Sequence, residues 1–214
     1  YAANYTPKIS KKNRLYTSVG VNTQMNLVSE NTRTIGSFSS STGAEVEVIN
    51  VNLQAQGLKN TEIKVPTTTT LGLGIGEDNK WFLGAEYSLQ QFSSFENDFL
   101  RRDNVSYIDA STFGFGGFFV PDYSSFTSYF KRVTYRAGAK LTKSGLMIND
   151  KEINNFGITF GVGLPLGGSF SNLNIGFELG RRGTTDANLV EESYLKMNLG
   201  LSLNDRWFQK RKIN

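Results

Sequence analysis

The sequence predicts an all-β fold: a transmembrane antiparallel β-barrel, with about eight of its strands in this chain. Three observations predict it. Apolar and polar residues alternate over long stretches, and successive side chains of a strand point to opposite faces. The polar face is rich in glycine, at Gly72, Gly74, Gly84, Gly138, Gly157, Gly161 and Gly176 among others. A solvated strand would carry Thr, Lys or Glu there, because glycine weakens a strand. Finally, no charge interrupts the middle of any apolar face, as contact with hydrocarbon requires, since Lys or Arg there costs about 2–4 kcal/mol.

The elements follow in order. Residues 1–6 read as the tail of an extended segment, and the chain, which does not begin with Met, reads as a fragment. Leu15, Thr17, Val19, Val21, Thr23, Met25 and Leu27 then alternate with polar residues as a first long strand. Ile63, Val65, Leu71, Leu73 and Ile75 form a second, and Trp81, Leu83, Ala85, Tyr87 and Leu89 a third. Residues 105–119 make a fourth, with Phe113 and Phe115 on one face and a bulge expected near Gly116 and Gly117. Val133, Tyr135, Ala137, Ala139 and Leu141 mark a fifth. The last three carry Phe156, Ile158 and Phe160, then Leu173, Ile175 and Phe177, then Leu195, Met197, Leu199 and Leu201. Strands of about 10–16 residues exceed the globular mode and suffice to cross a bilayer. Residues 149–152 read as a tight hairpin turn, and 37–60, 91–104 and 181–191 as long polar connectors. Aromatic residues stand near strand ends, where half-wet rings favour a membrane interface.

Composition excludes a good deal. Among the 214 residues there is neither Cys nor His, which removes disulfides, Cys/His zinc sites and the usual nucleophile–imidazole pairs. A net charge of +4 without a basic stripe does not suit a nucleic-acid reader. Gly72-x-Gly74 and Gly161-x-Gly163 meet Glu77 and Leu166 where a dinucleotide fingerprint needs its third glycine. Glu191 and Glu192 are neighbours in a strand and so point apart. No enzyme is expected, and no metal or cofactor. Glu86, Arg136, Lys140, Glu178 and Lys196 fall on the polar, lumen-facing side, as a ladder for a headgroup or as a self-neutralising network. Arg101, Arg102, Lys143, Arg181 and Arg182, with Lys151, fall near the outer rim, as lipopolysaccharide contacts or as ordinary solvated charge. The aromatics of 123–130 suit an inner-interface anchor, a periplasmic gate or a partner surface.

Three C-terminal segments carry a family resemblance. They are Phe156-Gly-Ile-Thr-Phe-Gly-Val-Gly-Leu-Pro-Leu, Phe170-Ser-Asn-Leu-Asn-Ile-Gly-Phe-Glu-Leu-Gly-Arg-Arg-Gly-Thr-Thr, and the run from Asn198 to Ile213. They resemble the end of outer-membrane proteins of Bacteroidota related to the FadL/TodX (OmpP1) family of hydrophobic-compound transporters. The resemblance implies the C-terminal half of a fourteen-stranded barrel, integral to the bacterial outer membrane and porin-like. It also implies diffusion of hydrophobic molecules such as long-chain fatty acids through the barrel. Two alternatives stand beside it: a non-transporting subunit of a larger outer-membrane assembly, for example a type IX secretion component, or a complete eight-stranded barrel with a structural or receptor role. Partners would be outer-membrane lipid and lipopolysaccharide, a hydrophobic small-molecule ligand and other outer-membrane proteins, with no nucleic acid. Residues 1–214 read as one domain, closed by a basic periplasmic tail at 204–214.

Overall fold

The computed structural model describes residues 1–95, 97–100, 102–166 and 171–202. Arg101 and the tail at 204–214 lie outside the described residues. Among the described residues there are fourteen strands: β1 (Ala2–Tyr5), β2 (Asn13–Asn22), β3 (Met25–Glu30), β4 (Thr34–Phe38), β5 (Glu45–Asn50), β6 (Asn60–Val65), β7 (Thr68–Glu77), β8 (Trp81–Gln90), β9 (Val105–Tyr107), β10 (Ala110–Phe119), β11 (Thr134–Ile148), β12 (Lys151–Pro165), β13 (Asn172–Gly183) and β14 (Glu191–Ser202). A single α-helical turn among the described residues, α1, spans Tyr129–Arg132.

Ten strands make one antiparallel sheet in the order β1-β2-β7-β8-β10-β11-β12-β13-β14, with β9 pairing β11. The sheet is open. β1 and β14 are its two edges and do not pair with each other, so the expected closed barrel, or half of a fourteen-stranded one, is not what the chain forms. Side-chain alternation is identical in open and closed sheets, so period two never specified closure. The edges also differ, with four residues in β1 against twelve in β14.

Two of the expected long strands are broken. Pro66 has no N–H to donate and biases its predecessor, which divides 62–75 into β6 and β7. The break is matched opposite at Thr23–Gln24, where Gln24 N–H donates to Thr67 Oγ1 at 3.1 Å. Beyond it β3 pairs β6 as a separate two-stranded arm. The stretch expected as a long polar connector at 37–60 instead contains most of a second hairpin, β4–β5. The ladder runs without a break through Gly116 and Gly117, so the bulge expected there is absent. A register shift lies instead between Lys143 and Met147, around Gly145, whose φ is +75°. The two-residue turn at 149–150 is as expected: Asn149 and Asp150 both have positive φ, as a type I′ hairpin requires.

The register sorts the side chains into two faces. Val19, Leu71, Tyr87, Phe113, Leu141 and Phe156 share a row across six strands. Six residues along the strands, Trp81, Phe119 and Tyr135 share another. At the strand rise per residue these aromatic-bearing rows stand roughly 20 Å apart. Between them lies an almost wholly apolar band that is solvent-exposed, with Leu73, Phe115, Phe160, Leu179 and Leu195 all uncovered. Buried apolar side chains among the described residues are only Leu53, Val120 and Val133. The chain therefore wears outside what a globular domain keeps inside.

Candidate interaction faces

The opposite face explains its glycines. Phe82 lies across Gly74 and Gly84: a Cβ on either would stand within 2.6–2.7 Å of the ring. Tyr16 meets Phe82 edge-on at 5.3 Å, and Phe118 stacks on it at 6.0 Å, giving an aromatic row over three strands. Such pairs contribute about 0.5–1.5 kcal/mol beyond the area they cover. At one end of the row Asp78 accepts from Tyr16 at 3.2 Å and from Arg14 Nε at 2.9 Å, which pins the turn between β7 and β8. Glycine is the residue under which a neighbour's side chain can lie flat. Alternation already set Phe82 on the glycine face opposite Trp81, but nothing local said that its ring would lie over Gly74 and Gly84.

Glu86, Arg136, Lys140, Glu178 and Lys196 all lie on this face. With the sheet open they line one face of it rather than an enclosed lumen. Glu86 and Lys140 flank Gly114, whose side would be empty space. Arg136 reaches past Gly163 to donate to Asn174 Oδ1 at 2.8 Å. Glu178 sits opposite Lys196 in register and accepts from the Tyr194 hydroxyl at 2.9 Å, which also lies 3.0 Å from Asn155 Oδ1. Among the described residues none of the five forms an ion pair with another. Sequence reasoning missed Tyr194, Asn155 and Asn174 as the partners that hold Glu178 and Arg136. Shallow clefts on this surface include one of about 490 Å³ lined by Asn4, Tyr16, Ser18, Phe82 and Glu86, one of about 360 Å³ lined by Arg136, Thr159, Asn174, Glu178 and Asn198, and one of about 390 Å³ lined by Thr134, Arg136, Asn172, Asn174 and Ser202.

The rim candidates do not form one cluster. Lys143 and Arg181 stand at the margin of the apolar face, beside Ser111 and Phe156 respectively, whereas Arg182 lies on the polar face opposite Asn155. Arg181 is 3.9 Å from Glu191, and Lys151 is 3.7 Å from Asp186. Arg102 lies in the connector before β9, its carbonyl accepting from Val105 N–H at 3.2 Å. That connector is held by a ring cluster of Phe92, Phe95 and Tyr107, with centroids 4.9–5.1 Å apart. Beside it Asp109 accepts from Ser93 through both its hydroxyl and its N–H, which holds the Asp109 carboxyl below the usual carboxylate range. Among the described residues no group of three or more acidic side chains is arranged to hold a metal.

No curated protein matches the chain. One solved structure to which it is similar is described as the CymD monoaromatic hydrocarbon channel, at 11% identity and a TM-score of 0.49, over 85% of this chain and 46% of that one. The chain thus spans less than half the length of that structure, and so distant a likeness carries neither the channel's cargo nor its architecture across. The family model that matches is BamG, over residues 1–214. It is not the FadL/TodX group that the C-terminal segments resemble, and this corrects that resemblance together with the fatty-acid channel and porin-like transport that rested on it. Glycine-rich alternation is common to sheets of quite different function, which is why those segments misled. Of the readings of the sequence, the non-transporting subunit of an outer-membrane assembly is the one that agrees. The protein belongs to the BamG family and is a non-catalytic, outer-membrane-associated protein.

Proposed function

We propose that this protein is a subunit of an outer-membrane assembly (BAM-type) complex, held in the bilayer by the apolar face of its open sheet. The observation that carries the reading is that face. It is continuous across the wide sheet, exposed, free of charge at its middle and bordered by aromatic rows. Water would not tolerate so large an apolar surface on a monomer, whereas hydrocarbon would. In this reading the connectors at 23–67 and 91–109, with the β3–β6 arm and the turn at 149–150, lie outward, with Arg102, Lys143, Arg181 and Arg182 near lipopolysaccharide, and the connectors at 78–80 and 120–133 lie on the periplasmic side. The outer edge of β14 then needs hydrogen-bond partners, because an unpaired backbone group in hydrocarbon costs several kcal/mol. A strand of a neighbouring subunit supplies them.

Two measurements on the protein in native outer membranes test this. A photo-crosslinker at Leu199 on β14 should capture another outer-membrane protein. A nitroxide at Phe160, in the middle of the apolar band, should be relaxed by oxygen and shielded from aqueous nickel. A water-accessible Phe160, or a Leu199 that crosslinks to nothing, would overturn the reading.

A further inference from the structure

The end of the sheet that carries the turn at 78–80 has a chemistry of its own. Connectors there present Lys8, Lys11, Lys12, Lys80, Lys131 and Arg132 against Asp78 and Asp122. At the opposite end the connectors are acidic on balance, with Glu45, Glu47, Asp98, Asp103, Asp109 and Asp186. The connector at 120–133 is built rather than slack. Val120 and Val133 are buried, at 4% and 2% exposure, and Ser125 is buried between them in sequence. Val120 N–H donates to the Lys80 carbonyl at 2.6 Å, Asp122 N–H to the Lys131 carbonyl at 2.8 Å, and Ser128 N–H to Ser125 Oγ at 3.3 Å.

From this stapled frame two large rings point outward. Phe126 is fully exposed, at 101%, and Phe130 is 72% exposed. Beside them Arg132 lies over the Tyr129 ring at 5.6 Å. The loop is continuous with the aromatic border of the apolar face, because the Tyr135 hydroxyl donates to the Phe130 carbonyl at 3.2 Å and Tyr135 stands in register with Phe119 and Trp81. Rings held out at the level of an apolar border, with cations at their base, match one environment. That environment is the interfacial layer of a bilayer, apolar on one side and phosphate-rich on the other.

We infer that this end is a docking lip for anionic phospholipid headgroups. Phe126 and Phe130 enter the interfacial layer, and Lys131 and Arg132 meet lipid phosphates, with Lys8, Lys11 and Lys12 extending the contact along the same end. The inference rests on the proposed membrane placement of the apolar face and adds to it a lipid class and the residues that select it.

The chain contains no cysteine, so a single introduced thiol is a unique label. Phe126→Cys and Phe160→Cys would each carry a nitroxide, in the full-length protein reconstituted into phosphatidylcholine vesicles with or without phosphatidylglycerol. The expected result is Phe126 at phosphate depth and Phe160 deep in hydrocarbon. The protein should also retain phosphatidylglycerol over phosphatidylcholine. The double variant Lys131→Glu/Arg132→Glu should cut that preference by about thirtyfold, at roughly 1 kcal/mol for each of the two cations near an anionic surface. Both side chains are exposed, so the variant leaves the fold intact. Phe126 in water while Phe160 is deep would overturn the lip alone, and both labels in water would overturn the membrane placement with it. A Phe126 label covered equally in pure phosphatidylcholine, and indifferent to the double variant, would overturn the selection of anionic lipid and leave insertion that does not read the headgroup.

Discussion

The Tyr194 hydroxyl donates to Glu178 at 2.9 Å, and its ring lies where a side chain on Gly180 would stand, with a Cβ there only 2.5 Å from the phenol. The acidic group on β13 is therefore held by an aromatic residue on β14 that depends on a missing side chain between them. Gly200, on the same face, has no such neighbour closer than Asn174 Cβ at 3.8 Å. Gly180→Val should lower stability by about 1–3 kcal/mol, the usual cost of forcing a side chain into filled space. Gly200→Val should be neutral or mildly stabilising, since β-branching favours a strand. Urea unfolding of the two variants in one lipid or detergent system checks the contrast, and equal losses would contradict it.

Phe82 is the keystone of the other half of that face. Removing its ring in Phe82→Ala uncovers Gly74 and Gly84 and ends the contacts with Tyr16 and Phe118. The expected loss is about 2–3 kcal/mol, somewhat below that of a fully buried Phe because the ring is only half-buried. Trp81→Ala, one residue away on the apolar face, should leave Tyr16 and Phe118 undisturbed. Near-ultraviolet circular dichroism with thermal melts would separate the two.

Asp109 gives a pH dependence with a definite sign. Its carboxyl is held below the usual range by the hydroxyl and N–H of Ser93, so the folded group loses its proton more readily than the unfolded one. The attachment of the connector at 91–109 is therefore complete above the unfolded value of about 4. It is lost as pH falls through the lower, folded value. Amide exchange at Ser93 should accelerate on acidification below that point. In Asp109→Asn it should be fast at every pH, with the acid step gone.

The apolar band offers a test of environment by energy. Phe160 is 54% exposed in the isolated chain, so Phe160→Lys would cost little if that surface met water. Against hydrocarbon near mid-depth the same change should cost about 2–4 kcal/mol. Comparing refolding yields of Phe160→Lys in bilayers and in denaturant-free buffer reads the difference directly.

How far the sequence was legible depends on distance along the chain. Alternation from Trp81 to Leu89 marked β8 at its true ends, because face assignment is a local property. The turn at Asn149 and Asp150 was legible for the same reason. Pro66 held a visible warning that went unused, and the strand read through it was two strands. The β4–β5 hairpin was hidden because Glu45, Glu47 and Ser37 make its strands look like a polar connector. On the polar face the sequence groups Glu86, Arg136, Lys140, Glu178 and Lys196, because one parity places them all. It could not show that Arg136 pairs with Asn174, which is decided by the stagger of β11, β12 and β13. Openness was least legible of all, because it is a statement about two edges that period two does not describe.

The turn between β11 and β12 bears on the order in which the sheet assembles. Two residues, already in the conformation that a tight reversal demands, join the two longest strands of the molecule. Bringing those strands together costs little loop entropy, whereas pairing β2 with β7 requires the whole excursion from Asn22 to Thr68 to be closed first. Hairpins with short connections zip in microseconds, and pairings of high sequence separation come late. The sheet should therefore nucleate at β11–β12, grow through β13 and β14 on one side and β10 and β8 on the other, and acquire β2 and β1 last. A nascent chain would then present its glycine-rich C-terminal hairpins to a folding partner while its N-terminal strands were still unpaired.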